Sequence, residues 1–359
     1  MPRVVVTPES TTTIPEMYTQ ALALQREAKH AEAAALLDRV VQLDGDGEYA
    51  DEALFQAGAE HDQAGAFELA AARYEQFAVR YPDAPLSTTA LVRATRLLAH
   101  LEQWERAGAL GQRLLGETRQ LGPFEAVVAY AASANARLWL DDEVGAAAFI
   151  EKGRAIVEAQ QLDAAGRVSA DLAGLYYALG ELRRRRAERI VFDPMPENFT
   201  DALERRCQLL LDAQSAYSDA MRAYEAHWSA MAGFRVGELY QRLHEDLMQV
   251  KPPASANSDE KRALFEGAMR LRYAILLEKA SGMLQHTLAM TERTGERSGW
   301  VQRAAKARAT IEAARRREQA AIDKLPYSRA TLDAALADVA RRAQSKSSAS
   351  PAGGAKRNP

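Results

Sequence analysis

Small and apolar residues recur through the first half of the chain at one interval. Ala33, Ala70 and Ala107 stand 37 residues apart, each inside a stretch with the periodicity of an amphipathic helix. Apolar or aromatic partners follow at fixed offsets: Leu37 and Val40, then Tyr74 and Phe77, then Leu114. A repeat of this length marks stacked helical units, because one unit cannot bury its apolar face alone and must lean on the next. The middle copy is the fullest. Leu54, Ala57 and Gly58 share one helix, Ala70, Tyr74 and Phe77 share the next, and Pro82 closes the unit.

Turn and breaker residues then set the boundaries. Residues 1–14, rich in Thr and Pro, read as a flexible leader, and residues 15–191 as the repeat array. The first hairpin covers about residues 15–43. The second covers 48–81, turning at His61-Asp62-Gln63-Ala64-Gly65, and the third 86–122, turning at Glu102-Gln103-Trp104. A weaker fourth begins near Pro123 and turns at Asp141-Asp142-Glu143; its second helix, around Ala146, Ile150 and Gly153, fits the pattern poorly. A fifth helical stretch, 164–191, has lost the repeat. Trp104 and Trp139, beside hairpin turns, are expected to close the packing between helices.

Pro194 and Pro196 break the chain at residues 192–199, and a C-terminal helical domain is expected over 200–343. Thr200 reads as an N-cap. One long helix follows, with Leu203, Cys207, Leu210, Tyr217, Met221, Tyr224, Trp228 and Met231 at steps of four and three, interrupted only by Gln214. Gly233 and Gly237 share a face and would let another helix approach closely. Ser258 caps a further helix that stops near Thr294-Gly295, and another runs over about 298–325. A short helix over 328–342 precedes a polar tail, 344–359, expected to be disordered. The fold class is therefore all-α: a helical-hairpin solenoid followed by a long-helix domain.

Composition narrows the function. The 21 glycines and 13 prolines are few for 359 residues, alanine is abundant, and the formal net charge is only −3. That balance points to neither nucleic acid nor an anionic membrane as partner. Charge is unevenly placed, with 15 basic and 26 acidic side chains in residues 1–180 against 31 and 23 in residues 181–359. It reads either as two solvated faces attracting one another or as a basic docking surface. The single cysteine, Cys207, permits no intramolecular disulfide and reads as a buried structural thiol. No apolar run reaches the length of a membrane span, and the start lacks the apolar core of a signal peptide, so a cytoplasmic chain is expected from the sequence as given.

Catalytic patterns are missing. The six histidines are scattered without metal-pair spacing, and His244-Glu245-Asp246 is expected to face solvent on an amphipathic helix. Gly295-Glu296-Arg297-Ser298-Gly299 lacks the lysine of a phosphate-cradling loop, and no Gly-x-Ser-x-Gly elbow occurs. The chain is therefore read as a non-enzyme without cofactor or metal. Arg183, Arg184, Arg185 and Arg186 form the candidate partner-binding run; four consecutive helical residues point around the circumference, so surface pairing with Glu181 and Glu188 competes with docking of an acidic partner.

The order Leu54, Ala57, Gly58, Ala70, Tyr74, Phe77, Tyr81-Pro82 resembles the tetratricopeptide repeat, and its aromatic, aromatic, Tyr-Pro ending is similar to repeats of bacterial envelope proteins. Residues 232–240, with Leu243, Leu247 and Trp300 downstream, resemble tetratricopeptide proteins of gliding-motility machinery. The resemblance implies a scaffold or assembly factor whose partners are other proteins, in the periplasm or cell envelope. The departure is the absence of an export signal or lipobox cysteine. A cytoplasmic adaptor for an acidic segment is the alternative. The pattern specifies neither a particular partner nor an oligomeric state.

Overall fold

A computed structural model describes residues 13–116, 120–164, 168–254, 256–328, 330–332 and 334. The described residues form α-helices and one short 3₁₀ turn and contain no strand. They fall into two compact units, residues 1–178 and 179–359. The leader 1–14, the short helix 328–342 and the tail 344–359 lie largely or wholly outside the described residues.

The first unit is an array of helical hairpins. Helices α1 (Ile14–Arg26) and α2 (His30–Asp44) form the first, α3 (Ala50–Gln63) and α4 (Phe67–Arg80) the second. Helices α5 (Ser87–His100) and α6 (Trp104–Gly116) form the third, α7 (Pro123–Trp139) and α8 (Glu143–Ala159) the fourth. Each packs on its neighbours in chain order, and α5 also touches α7. Local signals start the helices: the Glu16 carboxylate accepts the Thr13 N–H at 2.8 Å, and Glu125 accepts that of Gly122 at 2.8 Å.

Every hairpin turns in three residues, and the middle one is always left-handed. These are Ala28 (φ 56°), Gly65 (φ 75°), Glu102 (φ 59°) and Asp141 (φ 58°). Only Gly65 adopts that conformation without a side-chain clash. Its geometry reverses the chain between antiparallel helices, so the repeat is written into the backbone as well as the core.

The core shows why the period exists. Ala33, Ala70, Ala107 and Ala146 are all fully buried in the second helices of the four hairpins. Ala21, Gly58, Thr95 and Ala134 form the matching buried column on the first helices. The Tyr74 ring lies so close to Gly58 that a Cβ there would sit 2.9 Å from it. In the third hairpin Gly111 takes the place of Tyr74, and a Cβ would meet the Ala129 carbonyl at 2.6 Å. The poorly matching fourth copy keeps the pattern: Ile150 is buried and Gly153 abuts Leu175. Its period stretches to 39 residues because α7 has 17 residues where α5 has 14, while α6 has 13 where α4 has 14.

Helix α9 (Ala173–Glu188) follows a 3₁₀ turn and carries the division between the units. In the second unit the expected single long helix is two, α10 (Phe199–Met221) and α11 (Ala226–Met248). Tyr224, left-handed at φ 53° and 72% exposed, lies in the turn between them, and Glu225 restarts the helix by accepting the Trp228 N–H at 2.7 Å. The steps of four and three happen to continue across the break, so spacing alone reads as one helix. Asn198, not Thr200, occupies the N-cap of α10. Ser258 caps the 36-residue α12 (Asp259–Thr294), and left-handed Gly295 ends it. Gly233 and Gly237 admit α12, where Cβ atoms would meet Thr287 at 2.2 Å and Leu284 at 2.7 Å. Helix α13 (Gly299–Asp323) completes the unit through Leu277, Ala280, Leu284, Ala304 and Ile311.

The left-handed turns give a paired test. Ala28→Gly should raise and Gly65→Ala should lower stability, each by about 1 kcal/mol, because each removes or creates one strained residue. Urea unfolding of the two variants beside the parent measures both.

Candidate interaction surfaces

The repeat residues are used up in packing. Leu54, Ala57, Ala70, Tyr74 and Phe77 are buried, and Phe55 meets Tyr74 and Phe77 edge-on with centroids 5.4 Å apart. Arg93 of the third hairpin stacks over Phe55 and Tyr74 and donates to the Tyr74 hydroxyl at 2.8 Å. Pro82 is exposed and directly follows Tyr81, the C-cap of α4. Between the first two hairpins, Asp38 accepts from Arg73 at 2.6 Å and lies 3.0 Å from His61 Nε2, while His30 Nδ1 lies 2.8 Å from buried Glu60. Burial pushes the Asp38 carboxyl up, but the bonds from Arg73 and His61 outweigh it and hold the group below its ordinary value.

The arginine run has a different setting from a solvated stripe. Glu181, two residues before the run, is buried, 2.9 Å from Arg184 and from Arg235, and accepts from the Tyr217 hydroxyl at 2.6 Å. Desolvation opposes the Glu181 charge, yet Arg235 and Arg184 overcome it and hold its pKa below the ordinary glutamate value. Arg184 also pairs with Glu188 at 2.8 Å, and Arg183 donates to the Asp212 carbonyl at 2.7 Å. Arg185 is half-buried and Arg186 exposed. The expected pairing with Glu181 and Glu188 is present, but at Glu181 it is an interior one.

A second interior ion was invisible in the sequence. Arg206, 1% exposed, pairs with Asp246, donates to the Ile190 carbonyl at 2.9 Å, and lies over the Phe192 ring. This corrects the solvent-facing reading for two of residues 244–246, since Asp246 is bound to Arg206 and His244 is buried on the α11 face between Leu243 and Leu247, while Glu245 is exposed as expected. The Cys207 thiol is half-buried, and burial pushes its pKa up against the pull of Arg206 and Lys279.

Trp104 is buried as expected, but Trp139 is not: it is 62% exposed, with Leu140 58% and Val144 85%. The left-handed turn at Asp141 carries all three to the tip of the fourth hairpin. Single exposed apolar residues are ordinary, but three large ones at one turn form a patch.

Among the described residues no cluster of three or more His, Cys, Asp or Glu side chains could hold a metal ion, and no helix is long and apolar enough to cross a membrane. Together the hairpins define an all-α helical-repeat protein. No protein family matches the chain, and no curated protein does. Among solved structures it is similar to a circular tandem repeat protein with novel repeat topology and enhanced subunit contact surfaces. That likeness has 14% identity and a TM-score of 0.18 over 86% of this chain and 77% of the other.

Glu181→Gln should cost about 1–3 kcal/mol at neutral pH, because it removes the buried carboxylate that Arg184 and Arg235 share and leaves each with its one outer partner, Glu188 and Glu238. The folded pKa of Glu181 is lowered. Its stabilisation is therefore full above the unfolded glutamate value of about 4.3 and lost as pH falls through the folded value. Denaturant midpoints at neutral and acid pH should lie closer together in the variant than in the parent.

Proposed function

We propose that this chain is a non-catalytic protein-interaction scaffold of tetratricopeptide type. The observation that carries the reading is the fourth hairpin tip. The array buries its repeat residues between hairpins, yet leaves Trp139, Leu140 and Val144 in water beside Asp141 and Glu143. An exposed aromatic with aliphatic neighbours and a polar rim is the composition of a protein contact. The finer assignment, an assembly factor of a cell-envelope or motility complex, rests on the resemblance of Tyr74, Phe77, Tyr81-Pro82 and residues 232–240. The alternative, an adaptor gripping an acidic segment through Arg183, Arg184, Arg185 and Arg186, has less support. Arg183 and Arg184 already hold partners within the second unit.

Copurification of the tagged chain from its native cells, followed by titration of each recovered protein, tests this. A defined protein partner is expected, bound about tenfold more weakly by the Trp139→Ala, Val144→Asp double variant at unchanged thermal stability. Recovery of no protein partner would defeat the scaffold reading.

A further inference from the structure

Helices α11 and α13 leave an open groove between them, formed by two adjoining hollows of about 370 Å³ and 400 Å³ that share Gln241, Glu245 and Thr310. One wall is a single face of α11: Phe234, Glu238, Gln241, Glu245 and Met248, at steps of four, three, four and three. The other is a single face of α13, with Arg303, Ala307, Thr310, Ala314 and Arg317 at the same steps. The first hollow joins Phe234 to Arg303 and the second Met248 to Arg317, so the two helices run parallel along the groove. The fourteen residue-to-residue rises from Phe234 to Met248 make it about 21 Å long, or about four turns.

Two parallel faces with matched steps of four and three are the surface that a further helix packs into, knobs into holes, at a shallow crossing angle. The small side chains of Ala307 and Ala314 leave room for its larger residues. Beneath, Leu277 of α12 is buried, an Arg270–Glu318 pair closes the floor, and His244 is buried with Nε2 making no hydrogen bond. Burial also keeps His244 below the ordinary histidine pKa, so it adds no positive charge at neutral pH. The walls differ in sign. Glu238 and Glu245 outnumber Arg242 on the α11 wall, with Glu238 also paired to Arg235 at 2.6 Å, whereas Arg303, Lys306 and Arg317 outnumber Glu318 on the α13 wall, so the net signs are opposite.

We propose that this groove docks one amphipathic helix of a protein partner, with an apolar seam flanked by basic side chains toward α11 and acidic ones toward α13. The proposal rests on the scaffold reading and names the class of partner. A helix with like charges on both flanks would meet repulsion from one wall, which is how charged flanking positions select partners in helical assemblies.

The test uses the full chain and three labelled helical peptides of about 21 residues. All have leucine at the seam; their flanks are Lys on one side and Glu on the other, all Lys, or all Glu. Fluorescence anisotropy should show the mixed-charge peptide binding at least about tenfold more tightly than either other. Thr310→Trp, exposed and shared by both hollows, should abolish that binding. Lys306→Glu with Arg317→Glu should weaken it and favour the all-Lys peptide, with helical content unchanged by circular dichroism. Equal binding of the three, no binding up to about 100 µM, or sedimentation showing the groove filled by a second copy of the chain would overturn the proposal. Loss of groove binding while native partners still copurify with Thr310→Trp would sink the groove's cellular role and leave the scaffold reading standing. A wild-type chain that recovers no partner would sink the scaffold reading instead.

Discussion

Where two helices cross at close range, one methyl group decides whether they nest or splay apart. Gly58 against Tyr74, Gly111 against the Ala129 carbonyl, and Gly233 and Gly237 against α12 are the places where this chain meets that constraint. Buried alanines at 33, 70, 107 and 146 extend it along the array. Interiors packed to crystal-like density have no slack to absorb an extra atom at such crossings. The period of the sequence, the direction of each hairpin and the burial of the aromatic residues all follow from keeping those contacts short.

Charge plays a secondary but specific part. Interior ions are costly to bury, and here each is surrounded by partners: Glu181 by Arg184, Arg235 and Tyr217, and Arg206 by Asp246 and the Ile190 carbonyl. Such pairs add little net stability compared with an apolar core. They penalise alternative registers, because any slip strands a charge without its counterpart. In a protein built from near-interchangeable helices, that penalty helps to fix which face meets which.

Much of this was legible from residue spacing, and the failures have identifiable causes. Ala33, Ala70, Ala107, Gly58 and Tyr74 announced the array because packing at a crossing demands small or flat groups. The fourth hairpin looked poor only because a longer α7 shifted its register by two residues. Tyr224 hid the break between α10 and α11, since a left-handed tyrosine leaves no compositional mark and the apolar steps continue across it. Arg206 sits within a polar run and betrays its burial nowhere in the sequence. Trp139 looked like core because tryptophan usually is, and only the turn geometry puts it outside. The matched faces of α11 and α13 were present as steps of four and three, but with polar residues at most positions, so they did not stand out as a seam.

The hairpin reversals carry a wider implication. Alanine, glycine, glutamate and aspartate all occupy the same left-handed position at residues 28, 65, 102 and 141. The signal that folds the chain back on itself is therefore a dihedral angle tolerant of residue identity, sustained by the helices on either side. Copies built this way can drift far apart in letters while remaining mutually stackable, and new copies can be gained or lost without rewriting those that stay.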